Sequence, residues 1–299
     1  MPVRDGPPIP AELLPPFTVS APEIPAAPFV LCSPHSGRTY PQSFVELSRL
    51  SPLSLRKSED CFVDDLFAPV AAAGVPLIAA RFPRAFLDVN REPYELDPEL
   101  FIEQLPDFAN TQSVRVAGGL GTIARIVADG EEIYRHKLPL SSGLARVEHL
   151  YVPFHQALAG LIEGTRRRFG YAILIDCHSM PSASMAPAGG PRPDIVLGDR
   201  FGASADSKIT RFLKDALTAL GYEVHMNRPY AGGYITEHYG RPTRDVHAVQ
   251  IEVNRGLYLD ELTLQPTSGF AELQRDLLSL AAPLFNDLPG LFERRAAAE

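Results

Sequence analysis

Two histidines follow short apolar runs and one glutamate lies inside another. This pattern is typical of buried strands that position side chains at a site. His35 follows the apolar residues 29–32, His178 follows the apolar residues 171–175, and Glu252 interrupts another apolar stretch. In open α/β sheets, ligands bind beyond the carboxyl ends of the strands. Two imidazoles and one carboxylate, with a fourth position open to water, are typical of a catalytic zinc site. A further carboxylate must take the proton from the attacking water. The pattern therefore predicts metal-dependent hydrolysis.

Each of these residues also has a plainer interpretation. A histidine after a buried strand is commonly a hydrogen-bonded core or loop residue, although two on successive strands bring the two interpretations close to balance. A carboxylate inside an apolar strand is destabilising unless it has a partner, so Glu252 needs Arg255, Arg91 or a metal-bound water. Cys177 suggests a thiol hydrolase, but alternation along a strand directs its thiol away from a metal held by His178.

Segments with the apolar pattern of strands alternate along the sequence with segments that have helical spacing. This order predicts an α/β domain with a largely parallel central sheet. The strand candidates are residues 29–32, 75–80, 171–175, 223–226 and 248–253. The helix candidates are residues 61–73, 144–169 and 206–220, with the last 30 or so residues. Apolar residues in 144–169 follow helical spacing, and Pro153 is expected to kink that helix. Residues 85–89 are predicted to be extended, 92–121 irregular and 227–246 a loop.

The first 27 residues hold eight prolines and no helical or strand period, which predicts an extended tail on the surface. A single catalytic domain is predicted for residues 28–299. No apolar run reaches the roughly 20 residues that span a bilayer, and no signal-peptide pattern is present. Three cysteines, an odd number, argue against a disulfide framework. A cytoplasmic location is expected.

The charge distribution favours an acidic small molecule over nucleic acid as the partner. The formal charge is −8, from 28 basic and 36 acidic residues, which disfavours nucleic-acid binding. Only four of the basic residues are lysines, and arginine binds carboxylates through two hydrogen bonds where lysine cannot. A general preference for arginine codons explains the excess but not its placement. The arginines in segments rich in glycine and proline are Arg38, Arg84, Arg91, Arg228 and Arg241.

Five segments, in order from about Phe29 to Asp260, resemble those of the N-formylglutamate amidohydrolase family. They are Ser33-Pro34-His35-Ser36-Gly37, Asp88-Val89-Asn90-Arg91, Asp176-Cys177-His178-Ser179, Gly232-Gly233-Tyr234-Ile235-Thr236 and Val246-His247-Ala248-Val249-Gln250-Ile251-Glu252. The family is similar in fold to zinc carboxypeptidases and acylamino-acid deacylases. The resemblance implies a three-layer α/β/α sandwich around a mixed, mostly parallel sheet. It also implies hydrolysis of N-formyl-L-glutamate to L-glutamate and formate, in histidine degradation.

The resemblance assigns a role to each matching residue. His35 and His178 become ligands of zinc, or of another divalent first-row metal, and Glu252 becomes the general base. Asn90 and Arg91 look like the Asn-Arg pair with which the wider superfamily holds a substrate carboxylate. The other residues expected at the substrate site, as oxyanion donor, second carboxylate clamp or pocket border, are Arg84, Arg228, Gly232, Gly233 and Arg241.

The third metal ligand and the substrate are left open. Related deacylases place a glutamate three residues after the first histidine, where this chain has Arg38, which cannot bind a metal. Asp60 is the predicted ligand, with Asp64 and Glu59 as alternatives. Another N-acyl amino acid or a peptide would suit the same chemistry. Arg38 gives weight to a rival of another class, a metal-free binding or sensing protein. No membrane partner is expected, and the oligomeric state is not predicted.

Overall fold

The structure is a computed structural model of the 299-residue chain and describes residues 8–127, 130–183, 191–288 and 290. Within these ranges no helix combines the length and the apolar character that crossing a membrane requires. Cys32, Cys61 and Cys177 are buried thiols and are not joined in disulfides. Residues 1–7 of the predicted tail, and residues 289 and 291–299 of the predicted C-terminal helix, lie outside the described ranges.

A mixed seven-stranded sheet forms the centre of the fold. Its strands are β1 (Phe17–Ser20), β2 (Phe29–Ser33), β3 (Leu77–Ala80), β4 (Ala172–Met180), β5 (Ile195–Gly198), β6 (Val224–Met226) and β7 (Val246–Asn254). Their spatial order is β1-β3-β2-β4-β7-β5-β6. Strand β4 pairs in parallel with both β2 and β7, whereas β5 is antiparallel to β7 and parallel to β6. The predicted mixed, mostly parallel sheet is confirmed.

Strands β4 and β7 carry the polar residues that matter most. Every residue of β4 is buried, as are all residues of β7 except the two at its ends. Strands covered on both faces form near-continuous apolar runs, which is why the sequence identifies them. The register sets Asp176 opposite Gln250 and His178 opposite Glu252. Because side chains alternate along a strand, these four polar side chains share one face of the sheet.

Helices flank the sheet and give the three-layer α/β fold that was predicted. They are α1 (Gln42–Leu47), α2 (Pro52–Arg56), α3 (Val63–Ala72), α4 (Val114–Ala117), α5 (Leu140–Arg146), α6 (Val152–Phe169), α7 (Ser207–Ala219), α8 (Tyr234–Tyr239), α9 (Gly269–Ser279) and α10 (Ala281–Asn286). A two-stranded ribbon joins β8 (Leu259–Asp260) to β9 (Gln265–Pro266). The Asp206 side chain caps α7 by accepting from Lys208 N, as expected for an N-cap.

The predicted helix over residues 144–169 is longer than expected and contains one wide turn. A π turn, Val147–Tyr151, joins α5 to α6. Pro153 follows directly; proline lacks an amide hydrogen and its ring clashes with the carbonyl four residues earlier in an α-helix. A π turn, closed by i to i+5 hydrogen bonds, relieves that clash without ending the helix. The expected irregularity at Pro153 is therefore a local widening.

The chain divides into two compact units, each assembled from three separated stretches. One comprises Met1–Thr18, Pro34–Cys61 and Ala79–Leu158; the other comprises Val19–Ser33, Phe62–Ile78 and Ala159–Glu299. The first holds α1, α2, α4 and α5, and the second holds β2, β4, β5, β6 and β7. The single catalytic domain expected for residues 28–299 stays a prediction.

Two segments differ from the sequence-based expectation, and in a third the structure adds a strand to a segment predicted only to be extended. Residues 85–89 form a turn in which Phe86 N donates to Pro83 O over 2.9 Å, so they are not a strand. The predicted loop 227–246 contains helix α8, which its flanking glycines concealed. The proline-rich segment contributes β1, an edge strand of the sheet. Proline is tolerated beside an edge strand because one side of that strand needs no ladder hydrogen bonds.

Candidate metal centre and active site

The His35 loop, residues 34–37, follows β2 and lies close to the backbone of Phe82. A Cβ built on Gly37 would lie 2.1 Å from Phe82 O, so only glycine permits this approach. Asp60 N donates to His35 O over 3.1 Å. This contact brings the two side chains together, and Asp60 Oδ2 lies 3.4 Å from His35 Nδ1. Both residues are 1% exposed.

Asp88 binds the other nitrogen of the His35 ring. Its Oδ1 lies 2.7 Å from His35 Nε2. Because a carboxylate only accepts, Nε2 carries the hydrogen, which leaves Nδ1, on the Asp60 side of the ring, as the nitrogen that could bind a metal. Asp88 Oδ2 accepts from Arg84 Nε over 3.0 Å and lies 3.7 Å from Arg91 Nη2. Burial acts to raise the pKa of Asp88, but the charges of Arg91 and Arg84 and the hydrogen bond from His35 hold it well below its ordinary value. Asp88 is therefore an anion that fixes the ring and its tautomer.

Arg91 is held in place by its own segment. Its Nε donates to Leu120 O over 3.0 Å and its Nη1 to Asn90 O over 2.9 Å. Asn90 N donates to Asp88 Oδ1 over 2.8 Å. Burial lowers the pKa of Arg91, with Asp88 opposing the effect, yet an arginine remains charged at neutral pH. These contacts give a preorganised guanidinium beside the buried Asn90 side chain.

The long helix supports this segment from the side. Tyr151 Oη donates to Arg91 O over 2.7 Å, and His155 Nε2 lies 2.8 Å from Val89 O. The rings of Tyr151 and His155 pack with centroids 4.2 Å apart. His155 therefore has a supporting role.

On β4, His178 stands beside a second buried carboxylate. His178 Nε2 lies 2.9 Å from Asp176 Oδ1, and Asp176 Oδ2 accepts from Thr236 Oγ1 over 3.2 Å. His178 and Asp176 are 3% and 0% exposed. Both candidate histidines thus have an aspartate oxygen near Nε2. The contact of Asp88 with His35 is a hydrogen bond, of the kind that orients imidazole ligands in metal sites, whereas that of Asp176 Oδ1 with His178 is not.

Glu252, opposite His178 on β7, is held by a neighbour on its own strand. Gln250 Nε2 donates to Glu252 Oε1 over 2.8 Å. Gln250 Oε1 in turn accepts from Gly233 N over 2.7 Å. Sequence reasoning asked for an arginine or a metal-bound water as the partner of Glu252, and an amide is a partner it did not consider.

The donor atoms of His35, Asp60 and His178 form one buried group. One ligand atom from each residue lies within 4.8 Å of the others. Two imidazole nitrogens and a carboxylate oxygen suit zinc and other divalent first-row ions. A cation bound between His35 Nδ1 and the Asp60 carboxylate would stabilise their approach, because both atoms would then direct lone pairs at it. This group could bind a metal ion, and Asp60 is the acidic member that the sequence favoured.

The two alternative acidic ligands are placed differently. Glu59 accepts from Arg56 Nε over 3.1 and 3.2 Å and also lies 3.2 Å from Cys61 Sγ. Asp64 lies in the first turn of α3. Neither belongs to the group of His35, Asp60 and His178.

Cys177 does not have the environment of a nucleophile. Burial raises the pKa of the Cys177 thiol well above its ordinary value, and the charge of Asp176 raises it further. A thiol is reactive only as the thiolate. The thiol hydrolase interpretation therefore finds no support.

The predicted substrate residues divide into two sets. Arg84, Asn90 and Arg91 cluster at Asp88, and Gly233 binds Gln250, as described above. Arg228 and Arg241 are exposed. Arg241 N donates to Val246 O at the start of β7, six residues before Glu252, which corresponds to roughly 20 Å along a strand. There Arg241 lines a cavity of about 460 Å³ with Glu163, Arg166 and Arg244 among others. None of the contacts described for Glu252 includes Arg228 or Arg241.

Sequence reasoning missed Asp88, Asp176 and Gln250 as individual residues, although all three lie in the resembling segments. Each had a usable signal. Asp176 and Gln250 each stand two residues before a proposed functional residue in an apolar strand, so they share its face. Asp88 stands two residues before Asn90, in a segment already singled out.

The chain resembles known proteins over most of its length. The family model described as N-formylglutamate amidohydrolase matches residues 27–259. The chain is 28% identical to an N-formylglutamate deformylase of Pseudomonas putida over 241 residues, which cover 78% of this chain and 82% of the relative. It is 29% identical to an N-formylglutamate deformylase of Pseudomonas aeruginosa PAO1 over 237 residues, 78% and 83% of the two chains.

A crystal structure of N-formylglutamate amidohydrolase from Ralstonia eutropha JMP134 matches with a TM-score of 0.84 and 35% identity. The match covers 93% of this chain and 99% of that one, so the likeness extends over nearly the whole fold. The chain therefore belongs to the N-formylglutamate amidohydrolase family.

Proposed function

We propose that this protein is a metal-dependent amidohydrolase that converts N-formyl-L-glutamate to L-glutamate and formate. Family membership and the names of the relatives support the substrate. The observation that carries the chemistry is the buried group of His35, Asp60 and His178, with Glu252 opposite His178 in the register. The cytoplasmic location and the place in histidine degradation stay predictions.

Hydrolysis forms a bond between the water oxygen and the formyl carbon and breaks the bond from that carbon to nitrogen. In our proposal Glu252 takes a proton from the water and returns it to the nitrogen of the leaving glutamate, as one carboxylate acting as base and then acid. Glu252 is 7% exposed and accepts a hydrogen bond from Gln250, so its position is defined before substrate binds.

His35, Asp60 and His178 would hold the metal, while Asp88 keeps the His35 ring oriented and Asp176 lies beside the His178 ring. When bound, the ion supplies Lewis acidity, which lowers the pKa of a coordinated water to about 7 and polarises a carbonyl. Zinc suits this donor set, and other divalent first-row ions suit it as well.

Arg91 and Asn90 would bind a carboxylate of the substrate. An arginine offers paired N–H groups that match the two oxygens of a carboxylate. Arg91 is already fixed by Asp88, Leu120 O and Asn90 O, so little side-chain entropy is lost on binding. Arg84, on the same carboxylate of Asp88, is the candidate oxyanion donor. Arg228, Gly232 and Gly233 stay predictions for the rest of the pocket, whereas Arg241, which pairs with Val246 at the amino end of β7, is not assigned to it.

A substrate panel tests this proposal. Purified protein is incubated with the formyl, acetyl and succinyl derivatives of L-glutamate, and released glutamate is measured. We expect the highest kcat/KM for the formyl compound, since the relatives are named deformylases. Equal or better turnover of another N-acyl derivative would identify that derivative as the substrate instead of N-formyl-L-glutamate.

Metal analysis tests the rival interpretation as a binding protein. We expect about one equivalent of a divalent ion per chain, loss of activity on chelation, and recovery on adding zinc. His178→Ala should lose both metal and turnover, whereas Glu252→Gln should lose turnover alone. Protein that holds no metal and gains no activity when metal is added would favour a non-catalytic role.

A further inference from the structure

Gln250 is a buried amide in an otherwise apolar stretch of β7. It is 4% exposed, and it stands two residues before Glu252, so both side chains lie on the same face of the sheet. A buried amide is destabilising unless its donors and acceptors are used. Gln250 uses both ends of its amide, one on Glu252 and the other on the backbone of a glycine loop.

The contact with that loop determines which way the amide points. Gly233 N can only donate, so the atom of Gln250 that it meets at 2.7 Å must be the oxygen. The NH₂ group therefore faces Glu252 Oε1 at 2.8 Å. A flipped amide would set N–H against N–H and oxygen against carboxylate, two repulsive contacts. The orientation is thus fixed by the chemistry of its partners.

The loop that anchors Gln250, residues 231–233, is itself held from the end of β5. Arg200 N donates to Ala231 O over 2.8 Å, and a Cβ on Gly198 would lie 2.7 Å from Ala231 C. Gly232 has φ of 115°, a conformation that side chains rarely adopt. The anchor of the amide is therefore a tightly packed backbone, which makes Gln250 a rigid link from that loop to Glu252.

We propose that Gln250 is a positioning residue for Glu252: its amide fixes the carboxylate in the orientation that accepts a proton from water. The inference rests on the proposed function, because it presumes that Glu252 is the general base. A carboxylate that must approach one water to within hydrogen-bond distance is sensitive to rotation, and the donated hydrogen bond restricts that rotation. The proposal assigns Gln250 no contact with the substrate.

Two substitutions separate the halves of this link. Gln250→Met removes both hydrogen bonds at similar volume. Gln250→Glu keeps an acceptor for Gly233 N and replaces the amide donor by a second carboxyl group, which must share a proton with Glu252. It preserves the loop contact if the fuller change impairs folding. We expect kcat for N-formyl-L-glutamate to fall about 10- to 100-fold in both variants, with KM and metal content unchanged.

Gln274→Met is the matched control. Gln274 lies on α9, and its Nε2 donates to Asp65 O over 2.8 Å. The same substitution there removes one side-chain hydrogen bond that does not involve Glu252. We expect wild-type kcat for this variant. Urea unfolding midpoints of all variants show whether a loss of rate follows a loss of stability.

A double-mutant cycle distinguishes a positioning role of Gln250 from a purely structural role. If Gln250 acts through Glu252, then Gln250→Met should have almost no further effect on kcat once Glu252→Gln is present. A loss of equal size in both backgrounds would overturn the proposal, as would wild-type kcat in folded, metal-loaded Gln250→Met or Gln250→Glu. Wild-type protein that fails to hydrolyse any of the three glutamate derivatives would overturn the proposed function, and the positioning role with it.

Discussion

The two ends of β7 differ in how they treat polar side chains. At the amino end, Arg241 and its neighbours are exposed and line an open cavity. At the carboxyl end, Gln250 and Glu252 are buried and joined by a hydrogen bond. Both ends are rich in groups that bind anions or protons, yet only one end keeps them away from water.

The burial of a polar side chain therefore helps to identify the functional residues of this protein. An exposed arginine is stable without a ligand, because water satisfies its N–H groups. A buried carboxylate needs partners built around it. The chain supplies such partners to Glu252, His35 and His178, and it supplies none of comparable burial to Arg241. Preorganised groups in a water-poor site are also those that accelerate reactions most.

The largest effect should come from the carboxyl end. We expect Glu252→Gln to reduce kcat about 100- to 10,000-fold, the range for losing a general base, while metal content stays at the wild-type level. The measurement is the initial rate with N-formyl-L-glutamate, beside metal analysis of the same preparation. Full activity would remove Glu252 from the mechanism and the comparison would lose its basis.

Arg91 differs from Arg241 because hydrogen bonds to Leu120 O and Asn90 O hold its guanidinium in place. We expect Arg91→Ala to raise KM about 10- to 150-fold, as one lost charge-assisted contact of about 1.5–3 kcal/mol predicts. Arg91→Lys keeps the charge but not the paired N–H groups, so its KM should lie between those of the wild type and Arg91→Ala. An unchanged KM in both variants would exclude Arg91 from substrate binding.

His247, near the amino end of β7, gives a smaller effect on stability. Burial lowers its pKa, although Asp206 and Asp245 act to raise it, and its Nδ1 accepts from Asp206 N over 3.2 Å. The unfolded chain therefore takes up this proton at about pH 6.5, and the folded chain only at lower pH. We expect the free energy of unfolding to decrease as the pH falls below about 6.5, and to level off below the folded-state pKa.

Urea unfolding between pH 5 and 8 measures that slope. His247→Asn, which keeps an acceptor for Asp206 N, should show a shallower decrease than the wild type. The same pH dependence in both proteins would assign the effect to other groups.

Arg241 should give the smallest effect of all. From its exposure at the far end of β7, we expect Arg241→Ala to change kcat/KM less than about twofold. Arg244→Ala, in the same cavity, is the matched control. A rise in KM for Arg241→Ala alone would restore the sequence-based role of Arg241 and would break the contrast between the two ends.

The sequence predicted those parts of the fold that depend on local periodicity. Strands β4 and β7, helices α3 and α7, and the long helix followed from apolar spacing, and His35 and His178 from residue type at strand ends. The roles of Asp88 and Gln250 did not follow, because they arise from partners far away in sequence or from an amide orientation. The position of Arg241 did not follow either, since spacing alone does not tell at which end of a sheet a loop lies.

The π turn in the long helix has a geometric consequence for the segment that carries Arg91. Arg146 Nη1 donates to Phe86 O over 3.0 Å, and Tyr151 and His155 bind the carbonyls of Arg91 and Val89. In a regular α-helix, five residues rotate by about 500°, which would leave Arg146 and Tyr151 about 140° apart around the axis. One turn closed at i+5 returns them to the same side. The π turn therefore brings Arg146, Tyr151 and His155 to the same side of the helix, where all three side chains bind carbonyl groups of residues 86–91.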